Sequence, residues 1–72
     1  MTFALRANES FIELYKVLKV QGMVDGGGEA KHVIGEGLVS VNGVIETRKR
    51  NKIVEGDVIS FNGESVQVIA AE

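Results

Sequence analysis

Seventy-two residues with a formal net charge of −2 and 44% hydrophobic content leave room for one domain, 1–72, with a thin core. The absence of cysteine excludes disulfide staples and thiolate metal sites, and one histidine, His32, is too few for a structural zinc site, so no metal or cofactor is expected. No segment approaches the roughly 20 apolar residues of a membrane span, and Met1–Arg6 lacks the basic start and apolar run of a signal peptide, so a cytoplasmic protein with no membrane partner is expected.

The opening Thr2–Arg6 alternates Phe3 and Leu5 with polar or small neighbours, a short-strand pattern. Ser10 with Glu13 three residues later forms a capping-box signature, which places Ser10 at a helix N-cap. Phe11, Leu14, Tyr15, Val17 and Leu18 then share one side at helical spacing, and Gly22 stands where a helix C-terminal glycine belongs. The pattern predicts a helix from Phe11 to Gln21.

Asp25-Gly-Gly-Gly28 breaks the chain. A second, shorter helix is predicted to begin within it and to run to Glu36, ended by Gly37, with Ala30, Val33 and Ile34 as its buried stripe. Glycines in the first turn cost roughly 1 kcal/mol each relative to alanine, which points either to tight helix packing or to close approach of a ligand.

From Leu38 the apolar period becomes two. Leu38–Val41 and Val44–Thr47 read as strands joined by Asn42-Gly43, and Val58–Phe61 and Ser65–Ile69 as strands joined by Asn62-Gly63. Glu55-Gly56-Asp57 supplies the turn between the two hairpins. Two helices therefore precede four short antiparallel strands.

The strongest local signal lies between the hairpins. Arg48-Lys-Arg-Asn-Lys52 carries four of the eight basic side chains in five positions, as a loop or strand extension. Residues 1–47 hold four basic and six acidic groups, and residues 53–72 none and four. Within a Debye length of roughly 8–10 Å a phosphate responds to this local charge rather than to the total. Arg48, Lys49, Arg50 and Lys52 have no acid among them and offer charge and forked donors to phosphate oxygens. On a helical wheel Lys31 points away from the Ala30–Val33–Ile34 stripe, among Gly27, Gly28 and Gly35, where a phosphodiester could come close. Lys16 and Lys19 lie on one flank of the first helix as marginal contacts. Asn42 and Asn51 are candidates for 2′-hydroxyl contacts.

Other residues carry less chemistry. His32, four residues before Glu36, reads as an ion-paired or exposed side chain. No pair of carboxylates forms an acid/base dyad, so no catalytic residue is assigned. Phe3, Phe11, Tyr15 and Phe61 read as core rather than as base-stacking platforms.

Leu18-x-x-x-Gly22, then Ala30-Lys31-x-x-Ile34-x-x-Gly37-x-Val39-x-Val41-Asn42-Gly43, then Ile53-x-x-Gly56-Asp57-x-Ile59 resemble the S-four-type RNA-binding domain, or αL motif, named after a ribosomal small-subunit protein. The match covers residues 11–61, and the Gly27–Lys31 stretch further resembles the free-standing bacterial YbcJ-like branch. The resemblance implies an α+β fold, with two N-terminal helices packed on a small bent antiparallel sheet of four to five strands. It implies structured RNA lying across the helices and the basic loop, with Lys31 and Arg48–Arg50 at positions often basic in the family. Glu13-Leu14-Tyr15 and Gly26-Gly27 depart from the Arg-Leu-Asp and Ser-Arg of many members, so two familiar RNA-contacting arginines are missing.

The expected function is a monomeric, non-catalytic RNA-binding module, with structured RNA, ribosomal or transfer RNA among the candidates, and a ribosome-associated protein as a further partner. The alternative is a protein-interaction module working with ribosomal or RNA-processing factors. Val39-x-Val41-Asn42-Gly43 with Gly56-Asp57-x-Ile59 also resembles the ubiquitin-like sulfur carriers. Their C-terminal Gly-Gly has no counterpart in Ile69-Ala-Ala-Glu72, and the helix order disagrees.

Overall fold

Leucine, isoleucine and valine side chains from every part of the chain meet in one apolar cluster. In the computed structural model, described for residues 1–70, helix α1 (Leu14–Val20) buries Leu14, Val17 and Leu18. Helix α2 (Gly27–Gly35) buries Ala30, Val33 and Ile34 against them. Each large side chain taken out of water contributes about 1.5–3 kcal/mol.

The layer beneath is a five-stranded sheet. It comprises β1 (Thr2–Ala4), β3 (Val39–Val41), β4 (Val44–Ile45), β6 (Val58–Phe61) and β7 (Glu64–Ile69), in the order β1-β7-β6-β3-β4. Val39, Ile59, Val66 and Val68 face the helices. Asn42 and Asn62 have φ of 52° and 53°, each followed by a glycine with positive φ, the geometry of two type I′ hairpin turns. The sheet is mixed, because β1 runs parallel to β7 and pairs Phe3 with Val68. A second, two-stranded sheet joins β2 (Ile12–Glu13) to β5 (Lys52–Ile53).

Both helices end as their glycines indicate. The Gly22 and Met23 amides donate to the Lys19 and Leu18 carbonyls, and the Gly37 and Leu38 amides to those of Ile34 and Val33. These are Schellman closures, with Gly22 at φ 69° and Gly37 at φ 77°.

The start of α1 corrects the sequence reading. Ser10 does not cap it and the capping box does not form; the helix begins three residues past Phe11, with Glu13 at the N-cap and no side-chain cap bond. Ile12 and Glu13 are drawn instead into antiparallel pairing with Ile53 and Lys52, a tertiary contact that local propensity does not register. Phe11, expected in the core, is 39% exposed. The returning strand of the first hairpin stops at Ile45 rather than Thr47. The Ile69-Ala-Ala-Glu72 end reaches past Ala70, and its last two residues lie outside the described residues. No helix among the described residues is long and apolar enough to cross a membrane.

Candidate nucleic-acid interface

The basic loop is fastened to α1 through the backbone. The first amides of a helix have no intrahelical acceptor. Here the Leu14 amide donates to the Asn51 carbonyl at 3.0 Å and the Tyr15 amide to the Lys49 carbonyl at 3.1 Å. The Asn51 amide turns back onto the Arg48 carbonyl at 3.1 Å. With the carbonyls of Lys49 and Asn51 committed inward, loop 48–52 is tied to the start of α1 while its long side chains remain exposed.

Tyr15 is the centre of this region. Half-buried at the rim of the core, its ring faces the Lys31 ammonium at 4.9 Å, the Arg50 guanidinium at 5.8 Å and the Lys16 ammonium at 6.0 Å from its centroid. These are cation–π distances, and they gather cations from α1, α2 and the loop around one aromatic ring. Lys52 stands likewise 5.0 Å from the Phe11 ring.

Between α2 and the loop lies an open hollow of about 480 Å³, lined by Lys31, Gly35, Thr47, Arg48, Lys49 and Arg50. A neighbouring hollow of about 360 Å³ is lined by Arg48, Arg50, Asn51 and Lys52. The glycines of α2 leave this approach clear: a Cβ at Gly28 or Gly35 would meet nothing within 4 Å, and one at Gly27 only the Lys19 side chain at 4.0 Å. Tight helix packing therefore does not account for Gly28 and Gly35.

Two acids outside the 48–52 run enter it in space. Glu46 grips Arg48 with both oxygens, accepting from Nε at 2.9 Å and from an Nη at 3.0 Å, and also accepts from the Arg48 amide at 2.9 Å. The Arg48 side-chain bonds, followed by its amide, pull the Glu46 carboxyl from its ordinary 4.5 down to about 2, and Glu46 in turn raises the Arg48 guanidinium. Glu13 pairs with Arg50 at 3.3 Å and with Lys16 at 3.4 Å. Among the described residues Lys31, Lys49 and Lys52 have no acidic partner within ion-pair distance.

The structure thus brings Lys31, Arg48, Lys49 and Arg50 to one hollow, with Asn51 and Lys52 beside it. Lys16 adjoins through Tyr15 and also lines, with Lys19, Arg6 and Phe3, a separate hollow along α1. Asn42 is engaged elsewhere: its side-chain amide donates to Asp57 at 3.0 Å and its oxygen accepts from the Val58 amide at 2.9 Å. His32 lies 3.9 Å from Glu36, both well exposed, as its spacing indicates. Among the described residues no group of three His, Cys, Asp or Glu side chains is arranged to hold a metal. Sequence reasoning missed Tyr15, Glu13 and Glu46 as neighbours of these cations. Only the i, i+1 pairing of Tyr15 with Lys16 and the nearness of Glu46 to Arg48 in the chain hinted at any of it.

Comparison with known proteins gives the family. Residues 5–69 match the S4 domain family. The chain is 49% identical over 69 residues to YbcJ of Escherichia coli (strain K12), spanning 96% of this chain and 97% of that protein. YbcJ of Shigella flexneri matches to the same extent. The solution structure of E. coli YbcJ, reported to reveal an αL motif involved in RNA binding, aligns with a TM-score of 0.73 over 96% of this chain and 86% of that one. The 30S ribosomal protein S4e of Thermoplasma acidophilum aligns at 29% identity and a TM-score of 0.62, over 81% of this chain and 31% of that longer one. Helix pair, hairpins and sequence all lead to one assignment: the chain belongs to the S4 domain family.

Proposed function

We propose that residues 1–72 form a single non-catalytic RNA-binding module of the cytoplasm, which grips the phosphate backbone of structured RNA through Lys31, Arg48, Lys49, Arg50 and Lys52. Lys16 and Lys19 extend the contact along α1, and Asn51, beside the loop cations, supplies a 2′-hydroxyl contact. The observation that carries this reading is the hollow in which α2 presents Lys31 opposite Arg48, Lys49 and Arg50. Cations from two elements, held about one open depression, suit a curved row of phosphates better than a single small anion. Such contacts give affinity and register, and preference for RNA comes from A-form shape and 2′-hydroxyls. The RNA-binding αL motif of YbcJ supports the same reading.

The test is a titration against an RNA hairpin and a DNA hairpin of equal size over several salt concentrations, beside an Arg48/Lys49/Arg50→Ala variant. RNA should bind more tightly, with log affinity falling linearly in log salt. The variant's slope should be shallower by about 2–3 units. A folded variant that binds like the parent removes the loop from the mechanism, and a parent that binds neither hairpin shifts the reading to a protein partner on this face.

A further inference from the structure

Phe11 is out of place by the logic of the core. Ile12 turns inward to pair with Ile53, so alternation sends the Phe11 ring outward. A lone exposed phenylalanine is ordinary on a protein surface, but this one has three companions. The Lys52 ammonium stands 5.0 Å from the ring centroid. A hollow of about 390 Å³ opens beside the ring, bordered by Asn8, Ser10, Ile12 and Lys16. The side chains of Asn8 and Ser10 are exposed and make no hydrogen bond among the described residues. Glu9 and Glu13, which also border the hollow, are occupied by the Arg6 amide and by Lys16 and Arg50.

We propose that this hollow is a subsite for one unpaired nucleobase of the bound RNA, which stacks on Phe11 while Asn8 and Ser10 meet its edge and Lys52 and Lys16 hold the flanking phosphates. The inference rests on the RNA-binding reading and deepens it. The ring supplies a π face that accepts any base, the amide and hydroxyl supply donors and acceptors for a Watson–Crick edge, and Lys52 belongs at once to this subsite and to the phosphate-binding loop. Bases inside a blunt duplex have no free face to offer. The preferred target is accordingly a stem with an unpaired nucleotide at its end, in a bulge or at a junction.

The experiment compares a blunt-stem RNA hairpin with the same hairpin carrying one unpaired 2-aminopurine nucleotide at the stem end, using the parent, Phe11→Ala and Phe11→Trp. The parent should bind the extended hairpin roughly tenfold more tightly than the blunt one, with quenched 2-aminopurine emission. Phe11→Ala should bind the blunt hairpin like the parent and lose the advantage and the quenching. Phe11→Trp should keep the advantage, and its indole emission, the only tryptophan signal in the chain, should be quenched by the extended hairpin. Equal binding of the two hairpins by the parent, or an advantage that survives in Phe11→Ala, overturns the subsite while leaving the phosphate-binding reading intact. Failure of the parent to bind either hairpin overturns both.

Discussion

The Lys31 ammonium of α2 lies 4.9 Å from the centre of the Tyr15 ring of α1, and Arg50 approaches the same ring at 5.8 Å. One aromatic side chain thus lies within cation–π distance of a cation from α2 and of one from the loop. Tyr15→Leu keeps apolar bulk at the rim of the core but removes the π face. RNA affinity should fall about three- to tenfold with little change in thermal midpoint, as a salt-series titration with a melting curve would check. An unchanged affinity would mean that the cations hold their places without the ring.

Lys49 should matter most among the loop side chains. Arg48 and Arg50 already carry counter-charges from Glu46 and Glu13, whereas Lys49 has no acidic partner among the described residues and its carbonyl is anchored to the Tyr15 amide. Lys49→Ala should shorten the salt slope by about one unit and cost more affinity than Arg48→Ala, measured side by side at one salt concentration.

Glu13 competes with phosphate for Arg50 and Lys16. Glu13→Gln removes the charge while keeping the side chain's length, and it should tighten RNA binding by about two- to fivefold, the scale of an exposed ion pair given up on binding. A weaker complex would show instead that Glu13 positions Arg50 productively.

The Glu46 carboxyl should titrate near 2, well below its ordinary 4.5, because the Arg48 fork and amide favour its charged form. A carboxylate whose folded value is depressed stabilises the fold fully above its unfolded value, and this contribution is lost as pH falls through the folded value. The stabilisation should therefore be intact above about pH 4.5 and fade toward pH 2. Carbon-detected titration of the side chain gives the midpoint directly, and a value near 4.5 would mean that the pair is not held in solution.

Asn42 clasps the turn before β6 from the first hairpin, through Asp57 and the Val58 amide, with its own φ at 52°. Asn42→Ala loses both bonds and puts alanine, of poorer left-handed propensity than asparagine, in the turn. Destabilisation of about 1–3 kcal/mol is expected, read from the urea midpoint at unchanged m-value.

Both helix ends, both Asn-Gly hairpins and the Ala30–Val33–Ile34 stripe were legible in the sequence, because each is written in local chemistry: glycine's left-handed freedom, the type I′ preference and helical periodicity. The basic run and Lys31 were legible as candidates for the same reason. What local chemistry could not convey was every feature that depends on residues distant in the chain. Ser10 and Glu13 spell a capping box, yet Ile12 and Glu13 gain more by pairing with Ile53 and Lys52, so the helix starts later and Phe11 turns out to solvent. The parallel pairing of β1 with β7 joins the two ends of the fold. The gathering of Lys16, Lys31 and Arg50 about Tyr15, and the entry of Glu13 into a loop that looks free of acids, likewise arise only on folding. The sequence by itself determined which residues carry charge and which segments form helix and hairpin. Tertiary structure decided which charges face an open hollow and which are paired, because ion-pair and cation–π energies depend on distance in space, which folding sets without regard to separation along the chain.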